Sequence, residues 1–256
     1  MDAAKQKRKS LLHLYLITMK NNQILPNFWM SEEYIEKSNM KAIQETVQGF
    51  KEPEEDRWFF PPLNSEGRLL LSEPYYAGFP KKEPLEGEQF LDYQFVYDPE
   101  DFLTMEGKRW GVFRKNIRKY PRRNPGTLAY QEIGATHEQA VETLLLAWTE
   151  GKELYDPDVL VLYAFQGENR WGLFLNGKLV GLNIWDENDT YVNYRYCIDY
   201  GTPFLQEHLR WRFYTHSVIQ EKKKLVNDGG SLGSQALHKF KLKLNPVAVY
   251  KIHSNN

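Results

Sequence analysis

The alternation of apolar and polar positions is clearest in the second half of the chain. Trp110, Phe113, Ile117 and Tyr120 fall at offsets 0, 3, 7 and 10, which is one stripe of a 3.6-residue helix. Lys108, Arg114, Lys115, Arg118 and Lys119 lie off that stripe, and Pro121 is expected to stop the helix. Thr127 to Ile133 reads as a strand. Thr136 is expected to cap a helix reaching Lys152, with Leu144, Leu145 and Trp148 on its apolar side. Asn176-Gly177 then sits between two apolar runs, Trp171 to Leu175 and Leu179 to Trp185. That is the strongest short hairpin signal. A third strand, Tyr191 to Ile198, sets Tyr191, Asn193, Arg195 and Cys197 against Val192, Tyr194, Tyr196 and Ile198. One helix is expected from Leu205 to Glu221, then a strand over 224–227, a helix from Leu232 to Leu244 with Ser231 as its cap, and a last strand from Val247 to Ile252.

From residue 107 the order is α, β, α, β, β, β, α, β, α, β. A meander that then alternates with helices predicts a mixed, largely antiparallel sheet with helices on both faces, an α+β fold. The first half is less regular. Ser31 is a candidate N-cap, with Glu32 and Glu33 in the first turn of a helix expected to reach Gln48. Short strand-like pieces follow at Trp58 to Phe60, Leu69 to Leu71 and Leu91 to Tyr97, punctuated by prolines. Two units are expected: a small α+β region over 1–104 and a larger domain over 105–256.

Composition adds three constraints. The 256 residues are 41% hydrophobic and 14% aromatic, enough for a sizeable core. Net charge is −1, but residues 32–106 hold 18 acidic and 7 basic side chains, and 107–123 hold 8 basic and none acidic. A basic face in an acidic surround suits an anionic partner, and it also suits a solvated helix face. Eight cations with Trp110 and Tyr120 available to stack could hold nucleic acid. The single cysteine, Cys197, excludes intrachain disulfides and cysteine-only zinc sites and suggests a cytoplasmic protein. Lys5 to Lys9 followed by Leu11 to Met19 mimics a signal peptide, but the apolar run is short and no small-residue cleavage site follows. No run approaches the ~20 apolar residues of a membrane span. The histidines match no metal-ligand spacing.

Two segments carry a family resemblance. The stretch Gly107-Lys108-Arg109-Trp110 through Arg118-Lys119-Tyr120 is a glycine-led basic helix. The second is Val226-Asn227-Asp228-Gly229-Gly230-Ser231-Leu232-Gly233, followed by Leu237-His238-Lys239-Phe240-Lys241 and Asn245-Pro246. Together they resemble the C-terminal domain of phosphatidylglycerol lysyltransferases, over about 150 residues. The resemblance implies a GNAT-like fold, often doubled in tandem, so residues 1–104 could be a shortened first repeat. It also implies transfer of an acyl or aminoacyl group to an amine or hydroxyl of a small-molecule or macromolecular acceptor. Acyl-CoA or aminoacyl-tRNA would be the donor, the latter bringing tRNA as a partner. The chain departs from acetyl-CoA enzymes at Asp199-Tyr200-Gly201-Thr202-Pro203-Phe204, where a diphosphate loop is expected. That segment has one glycine, and Pro203 lacks an N–H.

Acyl transfer needs a base, an acid for the leaving group and donors for the oxyanion. In the GNAT fold the reacting centre lies where two central strands splay, which maps to Tyr191 to Tyr200. Asp186 and Asp199 are candidate bases, and Tyr194, Tyr196 and Tyr200 candidate acids; a tyrosine core stripe is the competing reading. Asp228 is a candidate base or amine anchor beside Asn227, although Asp-Gly-Gly is also an ordinary turn. Arg114, Lys115, Arg118, Arg195, Lys239 and Lys241 are candidate substrate contacts, and Gly201 and Thr202 candidate cofactor contacts. Lys239 and Lys241, two apart on a helix, cannot share a face.

Overall fold

The computed structural model describes residues 3–52, 57–81, 84–152, 154 and 156–255. Helix α1 (Ala3–Asn21) opens the chain. Leu11, Leu12, Tyr15 and Met19 are buried on it, and the Tyr15 hydroxyl donates to the Pro61 carbonyl at 2.9 Å. Helix α2 (Glu32–Lys37) is capped as expected, Ser31 Oγ accepting from the Tyr34 N–H at 3.1 Å. It ends far short of Gln48. Asn39 adopts the left-handed conformation with φ 52°, a common helix stop. An antiparallel hairpin of β1 (Lys41–Gln44) and β2 (Val47–Lys51) follows, and β3 (Leu63–Asn64) completes a three-stranded sheet. Trp58 to Phe60 and Leu69 to Leu71 make isolated bridges at Trp58 and Leu69 rather than strands.

The larger sheet starts with β4 (Gln89–Tyr97), which is followed by the short helix α3 (Asp101–Thr104) and then α4 (Gly111–Arg123). Next come β5 (Leu128–Glu132), α5 (Glu138–Thr149), α6 (Pro157–Gln166), β6 (Asn169–Leu175), β7 (Lys178–Glu187) and β8 (Tyr191–Asp199). The chain finishes with α7 (Leu205–Tyr214), α8 (Ser217–Glu221), β9 (Leu225–Asn227), α9 (Gln235–Lys243) and β10 (Ala248–Ser254). The strand order is β10-β4-β9-β8-β7-β6-β5, antiparallel except for the β8–β9 pair. The strand over 89–97 therefore lies inside this sheet, between two strands from the end of the chain, although it precedes the expected boundary at 104/105. One face packs Leu182, Ile184 and Ile198 against α1, α2, α5 and α6. The other packs Leu173, Trp185, Val192 and Tyr194 against α4 and α7. Among the described residues, no helix is long and apolar enough to cross a membrane.

Several expectations need correction. Helix α6 was not anticipated, although Asp156 caps it by accepting the Val159 N–H at 3.3 Å and Pro157 occupies its first position. The helix expected over 205–221 is two helices, because His216 takes an extended conformation and its Nδ1 accepts the Val218 N–H at 3.3 Å. The α9 cap is Ser234, not Ser231. Thr136 caps nothing; residues 135–137 form a single tight turn before α5.

Pro121 does not stop α4 but lies inside it. Proline lacks the N–H that would bond to the carbonyl four residues back, which is Ile117. His208 on α7 fills that gap, its Nδ1 lying 3.0 Å from the Ile117 oxygen. A carbonyl only accepts, so Nδ1 carries the proton. Burial holds the His208 pKa below its ordinary value, keeping the ring neutral. Replacing His208 with Leu leaves a buried carbonyl unpaired. The expected loss is about 1–3 kcal/mol, to be read from urea unfolding; an unchanged midpoint would show that the bond contributes nothing net.

Candidate functional site

Strands β8 and β9 pair in parallel only from Tyr191 to Asn193 and from Leu225 to Asn227. Beyond that they part. The chain after β9 turns to β4, the Asp228 N–H donating to the Phe95 carbonyl at 2.9 Å and the Phe95 N–H to the Gly229 carbonyl at 3.0 Å. Strand β8 stays with β7. A cavity of about 240 Å³ opens beside the parting. Tyr194 to Cys197 line it from β8, Asp228 to Gly230 from beyond β9, and Gln206 and Arg210 from α7. Phe28, Trp29 and Tyr34 of the amino-terminal region add aromatic walls, and Trp148, Leu154 and Leu160 complete the apolar lining.

A β-bulge shapes the β8 side. Ile184 pairs with Tyr196 and Trp185 with Tyr194, so Arg195 has no partner across β7. The strict alternation expected for Tyr191 to Ile198 fails at this residue. Tyr194 and Cys197 end on the α7 face, with Tyr194 lying 4.3 Å from the Phe213 ring. Arg195 and Tyr196 both turn to the opposite face, beside Tyr163 of α6. Bulges of this kind re-aim side chains next to sites.

Two buried clusters of charge flank the cavity. In the first, the Asp186 carboxylate accepts from Arg195 Nε at 2.8 Å and Nη2 at 3.0 Å, Ser31 Oγ at 2.7 Å, Asn193 Nδ2 at 2.9 Å and the Tyr163 hydroxyl. The Arg195 guanidinium also lies 4.3 Å from the Phe28 ring and 4.9 Å from that of Tyr34. This knot ties the start of α2 to the sheet. It leaves Asp186 no oxygen free to act as a base. In the second cluster, Asp228 pairs with Arg210 and with Lys241 Nζ at 3.3 Å. The Lys241 ammonium also donates to the Asp228 and Gly230 carbonyls, the latter at 2.6 Å. The Arg210 guanidinium sits 4.9 Å from the Tyr194 ring.

The sequence candidates divide clearly. Asp228, Tyr194, Arg195 and Lys241 meet at the cavity. The Tyr194 hydroxyl, however, donates to Asn183 Oδ1 in the core, so only its ring faces the cavity chemistry. Asn227 is buried beneath the site, donating to Gln94 Oε1 at 2.6 Å and accepting from the Gly229 N–H at 3.0 Å. Asp199 is not among the lining residues; it accepts the Gly201 N–H at 2.6 Å and closes the strand end. That bond removes Gly201 as a diphosphate donor, and Pro203 has none. The loop thus offers fewer free backbone donors than a glycine-rich diphosphate cradle. Lys239 is exposed while Lys241 is buried, as their two-residue spacing requires. Arg114 folds back on the Met105 and Gly107 carbonyls. Lys115 and Arg118 are exposed on α4. That helix packs on α7 through Asn116 to Glu207 and Ile117 to His208, away from Gln206 and Arg210.

Several lining residues carried no sequence signal that was used. Asp92 interrupts an aromatic strand, and its carboxylate accepts the Ser231 N–H at 3.0 Å and the Leu232 N–H at 2.8 Å. Arg210 sits between Leu209 and Trp211 in a helix of mixed polar and apolar residues. Asp156 is half-buried at the start of α6, and burial raises its pKa above the ordinary carboxylate value. Burial likewise raises the Tyr196 hydroxyl, with the Asp156 charge adding to it. The Cys197 thiol is pushed up to about 12 by burial, so it is not a thiolate nucleophile at neutral pH.

No family model and no curated protein sequence matches the chain. Solved structures do. A conserved protein of unknown function from Bacteroides thetaiotaomicron aligns with a TM-score of 0.71 and 16% identity, over 99% of this chain and 97% of its own. The C-terminal domain (DUF2156) of a putative lysylphosphatidylglycerol synthetase from Agrobacterium fabrum aligns with a TM-score of 0.62 and 10% identity, over 97% and 93%. The L-PGS structure from Bacillus licheniformis gives 0.62 and 12% identity, over 94% and 91%. Identities this low speak for the fold alone: over nearly its whole length, the chain shares the α+β fold of these structures, a largely antiparallel sheet flanked by helices.

Proposed function

We propose that the chain is an acyltransferase that moves an acyl or aminoacyl group from an activated donor onto an amine or hydroxyl in the cavity between β8 and β9. The observation that carries this reading is the parting of those strands after Asn193 and Asn227, with the cavity opening at that point. Its volume of about 240 Å³ lies below the roughly 300 Å³ at which pockets for drug-sized ligands begin. It suits an acyl group rather than a whole donor.

Asp156 is the proposed base. Of the acidic groups lining the cavity, Asp228 is engaged by two cations and Asp92 by loop N–H groups. Asp156 bonds only the Val159 N–H among the described contacts, and burial makes its carboxylate more basic. It would take the proton of the attacking amine or hydroxyl as the new bond to the carbonyl carbon forms. Tyr196, kept protonated by burial, would give a proton to the departing oxygen of an ester donor or sulfur of a thioester donor. The exposed cations of α4, with Lys119 and Arg123 lying 4.3 and 4.9 Å from the Phe204 ring at the start of α7, favour a polyanionic donor such as a charged RNA.

Asp156→Asn tests the assignment cleanly, because asparagine also caps helices. With aminoacyl-tRNA or acyl-CoA as donor and an amine acceptor, its turnover is expected to fall on the order of 10²–10⁴-fold, with an unchanged melting temperature. Transfer by the variant at the parent rate would refute the role of Asp156. Salt-sensitive RNA binding without transfer from any donor would replace the enzyme by a binding module.

A further inference from the structure

The loop from Gly229 to Gly233 carries a feature that the transfer chemistry does not use. Leu232 has φ 50°, in the left-handed region, and is 69% exposed. Leucine rarely adopts that conformation, since its Cβ crowds the following carbonyl oxygen. The surroundings enforce it. The buried Asp92 carboxylate accepts the Leu232 N–H at 2.8 Å with one oxygen, and the Ser231 N–H at 3.0 Å and hydroxyl at 3.2 Å with the other. Gly230 lets this carboxylate approach, because a Cβ there would collide with it. Gly229 and Gly233 both have positive φ, and a Cβ at Gly229 would press on the Phe28 ring at 3.1 Å. The loop is thus shaped from beneath, and it holds an apolar side chain at the rim of a cavity whose walls are mainly aromatic and aliphatic. Strained backbone that persists only because its surroundings over-determine it clusters at ligand clamps.

We propose that this loop is a preset lip and that Leu232 grips an apolar chain, an acyl or alkyl group of the substrate, entering over Phe28 and Leu237. Asp92 is its positioning residue. The proposal rests on the transferase reading only in placing its ligand in the same cavity.

The test is calorimetric titration of the full chain, without any acyl donor, using straight-chain fatty acids from hexanoate to dodecanoate and the matching n-alkylamines below their micellar concentrations. The first series represents a chain on the acyl side, the second a chain on the acceptor. In one series the affinity is expected to rise roughly fourfold per methylene. Leu232→Asn, which tolerates the left-handed backbone, is expected to bind the longest members about tenfold more weakly, to bind the shortest unchanged, and to melt no lower than the parent. Leu232→Gly removes the strain outright and serves as the second variant, with the same loss expected. The proposal is overturned if no member binds the parent, or if both variants bind the longest members as tightly as it does. Asp156-dependent transfer without chain binding would reject the lip and keep the transferase; chain binding without transfer would do the reverse.

Discussion

Asp186→Asn is expected to destabilise the protein by about 3–5 kcal/mol, the cost of stranding a buried charge by removing its partner. The side chains of Asp186 and Arg195 are each 2% exposed, so solvent cannot replace the lost carboxylate. Asparagine keeps the shape but not the charge, and its amide nitrogen would face the Arg195 and Ser31 donors. The damage should spread along what the knot connects. Ser31 also caps α2, and Tyr163 belongs to α6. Helices α2 and α6 should therefore loosen before the sheet does. Urea unfolding measures the total, and hydrogen exchange across α2 and α6 the distribution. A loss under about 1 kcal/mol would mean that the guanidinium is adequately held by the Phe28 and Tyr34 rings alone.

The second large effect is expected at Asp228. Replacing it with Asn leaves two buried cations, Arg210 and Lys241, facing each other with only the weaker influence of the Asp92 carboxylate on Lys241 to offset them. A comparable loss, about 3–5 kcal/mol, follows. Its pH dependence identifies the cause. Burial already holds the Lys241 pKa below the ordinary lysine value of 10.5, with the Asp228 charge opposing the shift. Because the folded value is the lower one, the unfolded chain binds more protons in the window between the two, and stability rises with pH through that window. Without Asp228 the folded value drops further and the window widens downward. The defect should therefore shrink as pH rises through the interval between the variant's and the parent's folded-state values for Lys241, the parent's lying below 10.5. A defect that stays constant over this range would assign the loss to Arg210, which remains charged, or to packing. Adding Lys241→Met should remove the pH dependence.

The elements written in local chemistry were legible from sequence. The α4 stripe, the Asn176-Gly177 hairpin and the Ser31 cap each depend on residues within one or two turns of each other, and each stands where it was expected. Helix α6 was missed: Asp156-Pro157 marks its start, but its interior from Val159 to Phe165 is apolar on nearly all sides and offers no periodic contrast. The site was harder to read. Its place near Tyr194 and Asp228 followed from the resemblance and the strand order, and the cavity lies there. The bulge at Arg195 was not readable, since it depends on how β8 registers with β7 rather than on any residue in β8. Arg210 carries no local signal that separates it from Arg212 on the same helix. Its role depends on Asp228, a partner that only the folded chain brings near. The same holds for Asp92, whose purpose is a loop at the other end of the sequence. Arg114, by contrast, was marked as a substrate contact because it lies in a basic run, and charge alone could not show that it turns back on its own helix start.

The position of β4 inside the sheet also sets a timetable for folding. Its two neighbours, β9 and β10, come from the last part of the chain, so the strand emerges early and waits. Until the end of the chain arrives, β4 offers two open edges rich in Phe, Tyr and Val, a template for pairing with other chains. Such long-range pairing makes for slow folding. The cavity inherits this delay, because Asp92, which shapes its rim, lies in β4, and Asp228 follows directly after β9. In a newly made molecule the cavity takes shape only when the last strands have reached β4.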